Sequence, residues 1–248
     1  MLAVFKREFK SYFTNPLGFI ILAVIYFFLG YTFSNYYSAG APYVEYVVLR
    51  VAQIVLFVIP VITMRLFSDE RRTKTDQVLF TAPVKLIGIV LGKFLAALAL
   101  FATGFIPTII YQIIVSAYVS VNIFYYVYAI VGIMLFGAAL IAVGMFISSL
   151  TESPIISIIF TLVVNLVIMF SGGFASGITP PSATTWYTKV WAWIVEVFGK
   201  FIGGMDFLSV LESFGNQAFS VKDVVYFISI TIAFIFLTER SLEKRRWS

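Results

Sequence analysis

The chain has 248 residues, of which 61% are hydrophobic and only 12% charged, against roughly 25% charged in soluble domains; an ordinary soluble fold is excluded and a polytopic membrane protein is implied. Cysteine and histidine are both absent, which removes disulfides, thiol nucleophiles, His-ligated haem and Cys/His zinc sites, and no metal site is predicted. The net charge of +5 comes from basic residues beside apolar runs, so it does not indicate a nucleic-acid partner.

Leu2, Phe5, Phe9 and Phe13 recur at helical spacing with Lys6, Arg7 and Lys10 between them. That pattern predicts an amphipathic interfacial helix over residues 1–15, basic side toward water. Asn15 and Pro16 read as the cap and first residue of the next helix. Residues 17–37 are long enough to span, since about 20 residues cross the hydrocarbon core. Ser38, Ala39, Gly40 and Ala41 imitate a cleavage site. The apolar run exceeds the roughly 7 to 15 residues of a signal peptide, however, so a span is predicted.

A second span is expected over residues 43–67, with a kink at Pro60 and Arg50 as an anchor in the outer leaflet. A third covers 86–118 and is broken by Pro107. Within it Gly88 and Gly92 form a small-xxx-small pattern that lets helices approach closely. With Lys93 they resemble a nucleotide loop, but one spacer is missing and no strand precedes them, so that reading is rejected. Residues 121–150 form a fourth span, whose Gly132, Gly137, Ala138, Ala139, Ala142 and Gly144 predict tight helix packing. A short turn over 149–154 leads into a fifth, to about 174. Asn165 is the strongly polar side chain near its middle, read as an interhelical hydrogen bond or, alternatively, a substrate contact. The last span is expected over about 224–237.

Two polar regions stand out. Residues 68–86 make the one long charged run between apolar segments. Thr75 and Asp76 are suited to open a short helix, Val78, Leu79 and Phe80 give it an apolar face, and Pro83 stops it. Such a helix suits docking to a soluble partner, with Glu70, Arg71, Arg72 and Lys74 as rim charges that set register more than affinity. Residues 175–221 begin with a turn-rich segment and continue through Trp186, Trp191, Trp193 and Phe198, interrupted by Lys189, Glu196 and Lys200. That stretch is too polar and short to span, and its aromatics suit the interface; a re-entrant helical hairpin is predicted.

Six spans place both termini on one side. Of the 17 Lys and Arg residues, all but Arg50, Lys189, Lys200 and Lys222 fall on that side, which the positive-inside rule makes cytoplasmic. The aromatic region is then extracellular. No acid lies centrally in any span and histidine is absent, so no dyad, triad or coupling-ion site can be assembled, and no catalytic residue is predicted. A carrier of this composition would draw its energy from elsewhere, and the cytoplasmic docking loop is the obvious inlet. A non-transporting assembly or scaffold protein and a passive channel are the alternatives.

Residues 67–84, FSDERRTKTDQVLFTAPV, resemble the loop between the first spans of ABC-2-type permeases, and 148–152, SSLTE, is similar to their second cytoplasmic loop. The ending, with Ser213 and Phe214, DVVYF at 223–227 and TERSLEKRRW at 238–247, resembles the gliding-motility-type branch. The resemblance covers essentially the whole chain as a single transmembrane domain, 1–248. It implies an all-α permease subunit of an ATP-binding-cassette exporter in the bacterial cytoplasmic membrane: an interfacial connecting helix, six spans, a coupling helix and an extracellular re-entrant hairpin. It also implies two copies of an ABC ATPase carrying ATP and Mg, a second permease, identical or related, and no cofactor in this chain. The coupling residues would be those named in the charged loop together with Glu152. Gln112, Asn165, Trp191 and Trp193 are the candidates for the substrate path, among surrounding membrane lipids.

Overall fold

The spaced phenylalanines at the amino terminus form helix α1 (Leu2–Thr14), with the rings of Phe5 and Phe9 stacked at 5.8 Å and those of Phe9 and Phe13 tilted at 5.1 Å. Asn15 breaks it with an extended backbone, and Pro16 starts α2 (Pro16–Ser38) at a position where its missing N–H costs nothing. The Asn15 side chain makes no capping bond, so the proline and not the asparagine defines this start. The computed structural model describes residues 1–41, 43–74, 86–177, 203–204, 206–214 and 220–246. Among these the regular structure is helical, with no strand.

The helices continue as α3 (Val44–Arg50), α4 (Ala52–Thr63), α5 (Ser68–Arg72), α6 (Leu86–Thr103), α7 (Ile106–Tyr118), α8 (Ile123–Leu150), α9 (Pro154–Gly177), α10 (Phe207–Ser213) and α11 (Val221–Arg246). Six stretches are long and apolar enough to cross a membrane: Pro16–Ser38, Ala52–Arg72, Leu86–Tyr118, Ile123–Leu150, Pro154–Gly173 and Val221–Arg245. The interruption of the second span falls at Val51, while Pro60 lies inside α4. The third breaks at Gly104 and Phe105, just ahead of Pro107. There a Cβ on Gly104 would meet the Ile25 side chain at 2.9 Å. The last helix is longer than expected and carries its charged end as one rod, with Thr238 and Leu242 still buried.

Helix α8 is the axis of the bundle. Its small residues admit neighbours that any larger side chain would exclude. A Cβ on Gly137 would lie 2.2 Å from the Phe101 ring of α6, one on Gly144 2.4 Å from the Thr63 hydroxyl of α4, and one on Gly132 2.8 Å from Phe214. Phe136 and Phe146 meet Phe227 and Phe234 of α11 edge to face, at 6.1 and 5.7 Å. Tight packing of this span, read from its composition, is therefore what the structure shows.

The close approach predicted at Gly88 and Gly92 is made by α1. Among the described residues their nearest neighbours belong to the start of α1: a Cβ on Gly92 would sit 3.0 Å from the Met1 carbonyl oxygen and 3.0 Å from Val4 Cβ. Helix α1 is thereby seated on α6. Of the predicted hairpin region 175–221, residues 178–202, 205 and 215–219 lie outside the described residues. The described part, α10, packs Phe207, Leu211 and Phe214 inward, and its Asp206 cap accepts from the Ser209 N–H at 3.1 Å.

Candidate functional site

At the end of the bundle that carries both termini, α1, α5, α6, α8 and the turn after α8 converge. Lys93 lies in the second turn of α6, in an otherwise apolar run, and its side chain is 1% exposed. A buried ammonium is tolerable only when its donors are met. Lys93 Nζ donates to the Leu66 carbonyl and to Glu70 Oε1 at 2.8 Å, and lies 3.5 Å from Glu8 Oε1. It also stands over the Phe67 ring, 5.0 Å from its centre. Arg7 closes the cluster from outside, with Nη2 at 2.6 Å from Glu8 and 3.2 Å from Glu70. The Arg7 guanidinium is held more firmly protonated by its hydrogen bond to Glu8, against the opposing effect of burial. Three segments distant in sequence are thus joined through one cation.

The irregular turn between α4 and α5 would leave backbone donors orphaned. Ser148, on α8, meets them: its Oγ accepts from the Phe67 N–H at 3.1 Å and the Ser68 N–H at 3.2 Å, and donates to the Met64 carbonyl at 3.2 Å. Arg71 adds a second tie. Its Nη1 donates to the Ser149 carbonyl at 3.3 Å, in the last turn of α8, and its Nη2 to Glu152 Oε1 at 3.0 Å. Arg71 is 11% exposed and Glu152 76%, so the carbonyl contact is the better shielded of the two. Tyr12 of α1 donates to the Ile62 carbonyl at 2.9 Å, and burial pushes its phenol upward from the usual value.

The α5 helix ends at Thr73, and Lys74 takes a φ of 55°, the left-handed position that usually terminates a helix and is usually glycine. Of the predicted docking residues, Glu70 and Arg71 are engaged within the protein, while Arg72 and Lys74 are exposed at the rim. Thr75, Asp76, Val78, Leu79, Phe80 and Pro83 lie outside the described residues. Sequence reasoning missed Lys93, Glu8 and Ser148. The signal was present for the first two: a lone cation seven residues into an apolar run, and acids on the two flanking segments where the charge rule favours bases.

The path candidates separate. Asn165 is 1% exposed and its Nδ2 donates to the Leu56 carbonyl at 2.6 Å, which is the interhelical bond and not an open contact. Leu56 is four residues before Pro60, so the proline removes the N–H that this carbonyl would otherwise accept. Ser157 and Thr161 precede Asn165 at four-residue spacing, are fully buried, and their hydroxyls find no partner among the described residues; the Asn165 Oδ1 finds none either. Gln112 of α7 is 7% exposed and is not brought to Asn165 by any hydrogen bond described. Trp191 and Trp193 lie outside the described residues. No group of three or more acidic residues suited to a metal occurs among the described residues.

Residues 28–238 match the family model for ABC-2 family transporter proteins. The chain belongs to the ABC-2 transporter family. No curated protein matches it. As an ABC-2 protein it is a multi-pass permease subunit of an ABC transporter, associated with ABC ATPase subunits; membrane subunits of this family are not themselves ATPases. The family match includes α4, α5, α6 and α8, with Glu70, Arg71, Lys93, Ser148 and Glu152. It begins after α1, so the Arg7 and Glu8 side of the cluster lies beyond the matched region.

Proposed function

We propose that this permease subunit works in export, and that residues 75–83 form a coupling helix seated in a groove of the ATPase with Val78, Leu79 and Phe80 as apolar anchors. Arg72, Lys74 and Glu152 make rim contacts, while Glu70 and Arg71 hold the base of the loop. The observation that carries this reading is the double tie at that base: Lys93 joins α5 to α1 and α6, and Arg71 joins α5 to the end of α8. A push on the loop would reach three helices as one displacement. Two ATPases carrying ATP and Mg close beneath a pair of permeases, identical or related, and the spans tilt as rods to open the path alternately. The distribution of Lys and Arg supports a cytoplasmic side for both termini, and the membrane is taken as a bacterial cytoplasmic one from the family resemblance.

The test is Leu79→Asp and Phe80→Asp, singly and together, in the complex with the ATPase. Loss of ATPase co-purification and of ATP-dependent transport is expected, with the permease still folded. A double variant that retains both would remove the docking assignment.

A further inference from the structure

A polar cavity of about 190 Å³ opens beside α1, walled by Asn15, Arg65, Asp69, Glu8, Glu70 and Lys93. Its inner wall includes Ile21 and Val61. The same two residues begin a second cavity of about 340 Å³, an apolar groove between α2 and α4 that continues along Val24, Phe28 and Phe57. From Val61 to Ile54, or from Ile21 to Phe28, the groove runs about 10 Å along the helices at 1.5 Å per residue. The polar mouth stands where the interfacial helix turns into the first span, which is the depth of the lipid headgroups.

We infer that these adjoining cavities bind one glycerophospholipid with a primary ammonium headgroup, of the phosphatidylethanolamine class, from the leaflet on the side of α1. The apolar groove receives an acyl chain. The mouth is matched to a zwitterion: its three carboxylates are balanced by Arg65 and Lys93 in the wall and by Arg7, which pairs with Glu8 and Glu70 from outside. Within it Lys93 is already committed to Glu70 and Glu8. At the open edge, Arg65 and Asp69 stand 3.5 Å apart, with side chains 47% and 36% exposed. Arg65 there faces the lipid phosphate and Asp69 the ammonium. An anionic headgroup would bring no cation to Asp69 at the open edge, and a quaternary amine has no N–H to donate. The inference concerns lipid held against the protein and does not depend on the direction or cargo of transport.

The experiment is native mass spectrometry of the full chain, in its complex, released from nanodiscs holding equal parts of phosphatidylethanolamine, phosphatidylcholine and phosphatidylglycerol. Selective retention of phosphatidylethanolamine is expected. Val61→Trp should fill the groove and reduce that retention about tenfold, the equivalent of about 1.4 kcal/mol, with helicity and elution volume unchanged. Asp69→Asn should abolish the preference over phosphatidylcholine while leaving a lipid bound. Equal retention of the three lipids, retention of none, or wild-type retention by Val61→Trp would overturn the inference. So would conversion of a dimer to a monomer by Val61→Trp with lipid unchanged, which would give the groove to a second copy of the chain.

Discussion

Asn165 Nδ2 donates to the Leu56 carbonyl, the one acceptor on α4 that Pro60 strips of its helical donor. A proline in one span and an asparagine in another are therefore a single device. Asn165→Leu should cost about 1 kcal/mol, the usual worth of a hydrogen bond between membrane helices. With Pro60→Ala in the same chain, the restored N–H takes the carbonyl, and Asn165→Leu should then cost close to nothing. A double-mutant cycle of unfolding in mixed micelles reads this directly, and equal cost in both backgrounds would refute the coupling.

Lys93 should be the most sensitive side chain at this end of the bundle. Lys93→Met leaves Glu70 and Glu8 without their buried cation, and breaking such a pair from one side costs about 3–5 kcal/mol. Removing both charges, with Lys93→Met and Glu70→Leu, should recover part of that loss. If unfolding of the double variant is no easier to resist than that of the single one, the carboxylate is not what Lys93 neutralises.

Arg71→Ala and Glu152→Ala remove opposite halves of one ion pair yet should differ. The glutamate is largely in water, where a surface pair contributes about 0–1 kcal/mol, whereas the arginine also holds the Ser149 carbonyl in a shielded position. Transport-coupled ATP turnover should fall severalfold in Arg71→Ala and little in Glu152→Ala. Identical losses would assign the effect to the pair alone.

Gly92→Leu should lift α1 from its seat. The added side chain has backbone and Val4 at 3.0 Å, and overpacking of this kind costs about 1–3 kcal/mol. Because the chain contains no cysteine, a single Val4→Cys serves as a clean reporter. Its maleimide labelling should rise when Gly92→Leu is added, and unchanged labelling would place the contact elsewhere.

The six spans were legible because length and hydropathy fix them; so was the dense packing of α8, since runs of small residues have few other uses in a membrane. Asn15 misled because a capping residue type does not secure a capping bond when proline already sets the backbone. Gly88 and Gly92 announced a close approach without naming the partner, which is a long-range property that spacing cannot carry. The same holds for Lys93. Its position inside an apolar run was visible, but that Glu8 and Glu70 would reach it from 85 and 23 residues away depends on how α1 and α5 fold back.

The glycines of α8 make it a keyed spindle. Phe101, Thr63 and Phe214 occupy notches where even a methyl group would collide, at 2.2 to 2.8 Å. Sliding this helix by four residues would drive Tyr128, Ile133 and Leu140 into the three notches in one direction, and Phe136 and Ile141 into two of them in the other. Any working stroke must then swing the spindle together with the parts locked to it, so the mobile unit is a block of helices and its joints belong at the periphery.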